Sequence, residues 1–125
     1  MKLDQECVRD VLLTMEEKIP LNDYVSLSML KSSSSLLAYD TEIVTYVTLK
    51  LTEAGYISAQ PLYGDNKVLE VMVSSITWDG HQFLENVRDP KIWRETKSVT
   101  NKVASSSLSI LSAVAEGLIK KQLGL

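Results

Sequence analysis

Residues 51–77 read LTEAGYISAQPLYGDNKVLEVMVSSIT, and the order of signals in them decides the architecture. A helical segment ends at Ala54-Gly55, where glycine suits the left-handed cap that closes a helix. The chain passes at once into YISAQPLY (56–63), which reads as a strand. The turn residues Gly64-Asp65-Asn66 then lead into KVLEVMVSSIT (67–77), whose β-branched content predicts a second strand. Pro61 donates no ladder hydrogen bond, so the first strand is expected to be an edge or to carry a bulge.

Upstream, Asp40 is placed to cap TEIVTYVTLKLTEAG (41–55), with Ile43, Val47, Leu51 and Ala54 on one face and Val44 at its edge. The serine run 32–35 leads into SLLAY (35–39), expected as a short helix. In NDYVSLSML (22–30), Tyr24, Ser26 and Ser28 alternate with Val25, Leu27 and Met29, the period of a short strand. DQECVRDVLLTMEEK (4–18) sets Cys7 or Val8, Val11, Leu12 and Met15 in one helical stripe, with Asp4 as cap and Pro20 as stop. Helix, short strand, short helix, helix, strand, turn, strand is the order of a winged helix. The third helix is expected over the first two, with the hairpin 56–76 as the wing. The fold class is therefore α+β, mainly α: a winged-helix-like domain over 1–88, with a helical extension over 89–125 that packs on it or mediates self-association.

Downstream, ITWDGHQFLENVRDPKIW (76–93) gathers a His, two Trp and five charged residues, and has the look of a site. Each letter also has a structural use. Thr77 can cap a helix beginning at Trp78, and Asp79 suits its first turn. Gly80 allows a neighbouring backbone to come close. His81 and Glu85 can pair at i,i+4. Trp78, Phe83, Leu84 and Val87 offer buried area, and Trp93 anchors the next helix. Asp89-Pro90 starts that helix, which is expected to run to about residue 103 and to present Ile92, Trp93, Thr96, Val99 and Val103. His81 is the sole histidine, and Asp79, His81 and Glu85 do not share one helix face, so no metal is expected. No serine sits in a G-x-S-x-G elbow, so no catalytic residue and no cofactor are assigned, and an enzyme is not expected.

The same stretch carries a resemblance. Thr77, Trp78, Gly80, His81, Phe83 and Leu84, followed by Arg88, Asp89 and Trp93, resemble the signature of a domain-of-unknown-function family of small bacterial and phage-type proteins. YVTLKLTEAGYI (46–57) is similar to that family's third-helix segment, except that Val47 stands where members often carry His. The resemblance implies a winged-helix-like fold and occurrence in chromosomes and mobile elements, while the residues themselves are read as structural. It implies no activity.

The bulk numbers agree with a small globular chain. At 125 residues with 45% hydrophobic and 23% charged content, it is long enough to bury roughly two thirds of its unfolded surface. The single cysteine fits a reducing compartment, and MKLDQECVRD lacks the apolar core of a leader, so a cytoplasmic protein is expected. Net charge is −3 and uneven: residues 1–77 hold six Lys/Arg against eleven Asp/Glu, residues 78–125 seven against five.

An acidic front half suits phosphate backbones poorly. The candidate nucleic-acid contacts are Thr45, Thr48 and Lys50 on the third helix, Lys67 at the hairpin tip, and Arg88, Lys91, Arg94 and Lys97, to which Lys102 adds. Acids dilute both groups, so DNA remains the alternative reading, as a sequence-specific transcriptional regulator. The last segment, ASSSLSILSAVAEGLIKKQL (104–123), says more. Leu108, Leu111, Ala115 and Leu118 form an apolar stripe, widened by Ile110 and Val114. Ser105, Ser109, Ala113 and Gly117 recur every four residues beside it, a ridge that lets helices approach closely. That helix can pack on its own domain, pair with a second copy, or lie in a partner's groove or on a membrane. Its apolar core is too short to span a bilayer. The expected function is a non-enzymatic interaction or regulatory protein, self-associating or binding a protein partner through this helix.

Overall fold

A computed structural model describes residues 1–125. The chain forms α1 (Gln5–Lys18), β1 (Val25–Ser26), α2 (Leu27–Lys31), α3 (Thr41–Glu53), β2 (Ile57–Gly64), β3 (Lys67–Ile76), α4 (Trp78–Val87), α5 (Pro90–Thr100) and α6 (Leu108–Gln122). The fold is α+β, with six helices and one three-stranded antiparallel sheet in the order β1-β3-β2. It divides into two compact units, Met1–His81 and Gln82–Leu125. The sequence places a division after Arg88. The units divide within α4, because Asn86 in its last turn donates to Ser112 Oγ of α6 at 2.8 Å and so belongs with the C-terminal helices.

In the first unit α1 follows its sequence pattern. Asp4 accepts from the Cys7 N–H at 2.9 Å, and Cys7, Val8, Val11, Leu12 and Met15 are all buried. Burial, with Asp4 and Asp10 nearby, pushes the Cys7 thiol up to about 12, so it stays a neutral core group.

Two expectations between residues 22 and 39 are corrected. The strand expected over 22–30 is only Val25–Ser26, because Ser26 Oγ accepts from the Met29 N–H at 3.2 Å and starts α2 there. The helix expected at 35–39 is a chain of turns. Ser33 O accepts from both Leu36 N and Leu37 N, and Tyr39 N donates to Leu36 O. Serine side chains compete for backbone partners and interrupt a helix, as Ser32 Oγ does by donating to Met29 O at 2.6 Å. Side chains tie these turns to α1: Tyr39 Oη donates to Asp10 Oδ2 at 2.7 Å, and Thr14 and Ser35 share a hydrogen bond of 2.7 Å.

α3 ends as its sequence predicts, with Gly55 at φ +77°. Its buried face is Val44, Val47, Thr48 and Leu51, rotated from the expected one: Ile43 is half-buried and Ala54 exposed. Thr48 can be buried because its hydroxyl donates to Val44 O at 2.8 Å, leaving no unpaired polar atom. Asp40 precedes the helix without a side-chain capping bond. In the hairpin, Asp65 and Asn66 take φ of +51° and +62° between Gly64 and Lys67, a two-residue turn whose twist matches its strands. β2 is an edge strand, and register shifts lie on either side of Pro61 at Ser58/Ala59 and Leu62/Tyr63. Both halves of the Pro61 expectation hold.

Glu70 joins β3 to the start of α2. Its carboxylate accepts from Ser28 Oγ at 2.5 Å, Ser28 N at 3.2 Å and Val71 N at 3.1 Å. The Ser28 hydroxyl chiefly, then these backbone N–H groups, hold its carboxyl below the ordinary 4.5. A depressed folded value means stability that is present above the ordinary value and lost as pH falls through the folded one. The melting-temperature gap between the parent and Glu70→Gln is therefore expected to be widest at neutral pH and to close below the ordinary value. A gap that stayed constant on acidification would deny Glu70 that role.

In the second unit, Asp89 Oδ1 accepts from Lys91 N at 2.9 Å and Ile92 N at 3.0 Å, the expected cap ahead of Pro90. α5 ends at Thr100, short of residue 103, and buries Ile92, Trp93, Thr96 and Thr100. Val99 and Val103 are exposed, since the buried positions advance by helical steps that bypass them. α5 packs against α6, which Ser107 caps by accepting from Ile110 N at 3.1 Å.

Candidate functional site

The stretch 76–93 is first of all a junction. Thr77 Oγ1 donates to Gly55 O and accepts from Gly80 N at 3.2 Å, while Thr77 N donates to Tyr56 O at 2.9 Å. One threonine thus ties the end of α3 to the start of α4. Gly80 packs its backbone on Tyr56: a Cβ there would lie 2.0 Å from the Tyr56 carbonyl oxygen. Gly80, Phe83, Leu84 and Val87 are all buried at i, i+3, i+4 and i+7, one face of the helix. Trp78 is out of phase with that face and is 77% exposed, which corrects its assignment to the core. Trp93 is buried as expected. Glu85 takes Arg88 at 2.8 Å as its partner, in place of the expected His81.

His81 stands on the wall of a cleft of about 590 Å³. The chain after α1 (Ile19–Tyr24) and the end of β3 (Ser74–Ile76) line the rest, with Met15 and Glu16. Ser74 Oγ donates to Ser58 O at 3.0 Å, so its proton serves the sheet. Nowhere do three or more His, Cys, Asp or Glu side chains gather as metal ligands would.

The candidate nucleic-acid residues differ in exposure and in pairing. Thr48 is buried and cannot reach a duplex, which corrects its assignment. Thr45 is half-buried. Lys50 Nζ lies 2.9 Å from Glu53 and 5.5 Å from the Tyr46 ring centroid, so its charge is already matched within α3. Lys97 Nζ sits 5.4 Å from the Trp93 ring centroid, and Arg88 pairs with Glu85. Lys67, Lys91 and Arg94 are exposed.

α6 splits the stripe read in its sequence. Leu111 and Ala115 are fully buried, so they serve the chain's own core and are withdrawn as partner contacts. Leu108, Val114 and Leu118 are half-buried, while Ala113, Gly117 and Ile110 are exposed. An apolar row (Ile110, Val114, Leu118) therefore remains open beside a small-residue row (Ser109, Ala113, Gly117). Sequence periodicity could not make this split, because a stripe does not state how much of its width the core consumes. The open cleft beside His81 likewise has no sign in the sequence: its walls come from segments some sixty residues apart, and only the fold unites them. No helix is long and apolar enough to cross a membrane.

Comparison with known proteins gives a family. The family model DUF2513, described as a hypothetical protein, matches residues 2–107. An uncharacterized protein of Haemophilus influenzae is 27% identical over 129 aligned positions, covering 98% of this chain and 99% of that protein. No solved structure matches. The chain belongs to the DUF2513 family.

Proposed function

We propose that this member of the DUF2513 family is a non-enzymatic, winged-helix-like interaction protein that self-associates through α6. The winged-helix reading is supported by the element order and by β1 pairing with β3 ahead of the β2–β3 hairpin. The observation that carries self-association is the open half of α6, an apolar row with a row of small residues beside it on one helix. Small residues let two backbones approach, and the apolar row gains by leaving water. A second copy is the natural occupant, since a two-fold axis sets the same patch against itself and needs no other complement.

Light-scattering mass of the full chain beside Ala113→Glu tests this. Ala113 is exposed, so the variant keeps its fold. The expected result is a dimer for the parent and a monomer for the variant, because a buried unpaired carboxylate costs several kcal/mol, on the order of the whole interface. Two monomers of equal stability would remove the proposal.

A DNA-binding regulator is a second reading, favoured by the exposed Lys67, Lys91 and Arg94. The self-matched Lys50 and the exposed Glu42 weigh against α3 as a reading helix. Retention on duplex DNA that falls steeply with salt would favour this reading.

A further inference from the structure

The cleft beside His81 lies wholly within the first unit. Its volume sits inside the range of roughly 300–1,000 Å³ usual for ligand sites. Asp23 is among its lining side chains, and no lysine or arginine is. Its borders are aromatic and apolar. Tyr24 lines it and is largely exposed, and Leu21 beside it is 90% exposed. Trp78, one helical turn before His81 on α4, is exposed as well, outside the residues that line the cleft.

We propose that this cleft receives an arginine side chain presented by an extended segment of a partner protein. A guanidinium is planar and permanently charged; it stacks on indole and phenol faces while its N–H groups fork onto a carboxylate. Tyr24 supplies the face and Asp23 the carboxylate. A free cation would leave Leu21 and the outer ring faces in water, whereas apolar residues flanking the arginine cover them. Exposed Trp and Tyr beside a concavity are also the residue types that concentrate binding energy in protein interfaces.

His81 is the only histidine, so its imidazole resonances report on this cleft and on nothing else. The full chain is titrated with a capped Leu-Arg-Leu peptide, with the same peptide carrying neutral citrulline, and with spermidine. The arginine peptide is expected to shift the His81 signals, and the citrulline peptide to bind at least about tenfold more weakly, the loss of one charge-assisted pair. Asp23→Asn and Tyr24→Ala are each expected to weaken the arginine peptide. Neither endangers the fold: an asparagine oxygen can still accept from the Tyr24 N–H, now 2.8 Å from Asp23 Oδ1, and the Tyr24 side chain is largely exposed. Equal binding of the two peptides, or no shift at millimolar peptide, overturns the proposal. Spermidine competing as well as the arginine peptide overturns it too, in favour of a diffusible polyamine.

Discussion

Gly80→Ala is expected to destabilise the protein by about 3 kcal/mol, although the same exchange inside a helix ordinarily stabilises by up to about 1 kcal/mol. The added Cβ would fall 2.0 Å from Tyr56 O and 2.7 Å from Ile76 Cγ2. The carbonyl cannot retreat freely, because it accepts from Thr77 N at 2.9 Å while Tyr56 N is held by Leu51 O at 2.9 Å. Either α4 moves off or that pair of bonds opens. Gly117→Ala is the matched control: Gly117 lies inside α6 with nothing within 4 Å of its added Cβ. At concentrations too low for α6 to pair with a second copy, it is expected to gain several tenths of a kcal/mol from helix propensity alone. Urea unfolding of both variants beside the parent should give changes of opposite sign. Two changes of the same sign would mean that Gly80 has room and that the α3–α4 junction is looser than its hydrogen bonds imply.

That junction also shows what a sequence can and cannot disclose. Gly80 as a point of close approach, Thr77 and Asp89 as caps, Gly55 as a helix terminator and Pro61 as an edge marker are legible because each is a local backbone requirement. It is met by few residue types and read at short range. The failures are of another kind. Trp78 was assigned to the core because tryptophan usually buries, yet its phase relative to Gly80 and Leu84 points it outward. Residues 24–29 alternate as a strand does, but one serine cap outweighs the alternation over so short a run. Thr48 looks like an exposed polar residue until its hydroxyl is paired with the Val44 carbonyl one turn back. The cleft beside His81 has no sequence signal, since nothing local relates residues 16–24 to 74–81.

Leu111→Ala is expected to cost about 3 kcal/mol, within the range for truncating a buried leucine. Ile110→Ala, its neighbour, is expected to cost under about 1 kcal/mol. Leu111 is fully buried and Ile110 is 51% exposed, though the two are equally hydrophobic and adjacent on α6. The contrast decides what this helix is for. If α6 were simply an oligomerisation tail, both truncations would be nearly silent in the monomer and both would weaken assembly. If α6 were simply core, Leu111 would dominate stability and neither Ile110 nor Ala113 would affect mass. A helix that closes the second unit with Leu111 and Ala115, while offering Ile110, Ala113 and Gly117 to another chain, predicts a third pattern. Leu111→Ala then lowers the urea midpoint at every protein concentration, because a core contact within one chain has no concentration term. Ala113→Glu instead removes the rise of midpoint with concentration that association confers, and leaves the dilute-limit stability of the chain where it was.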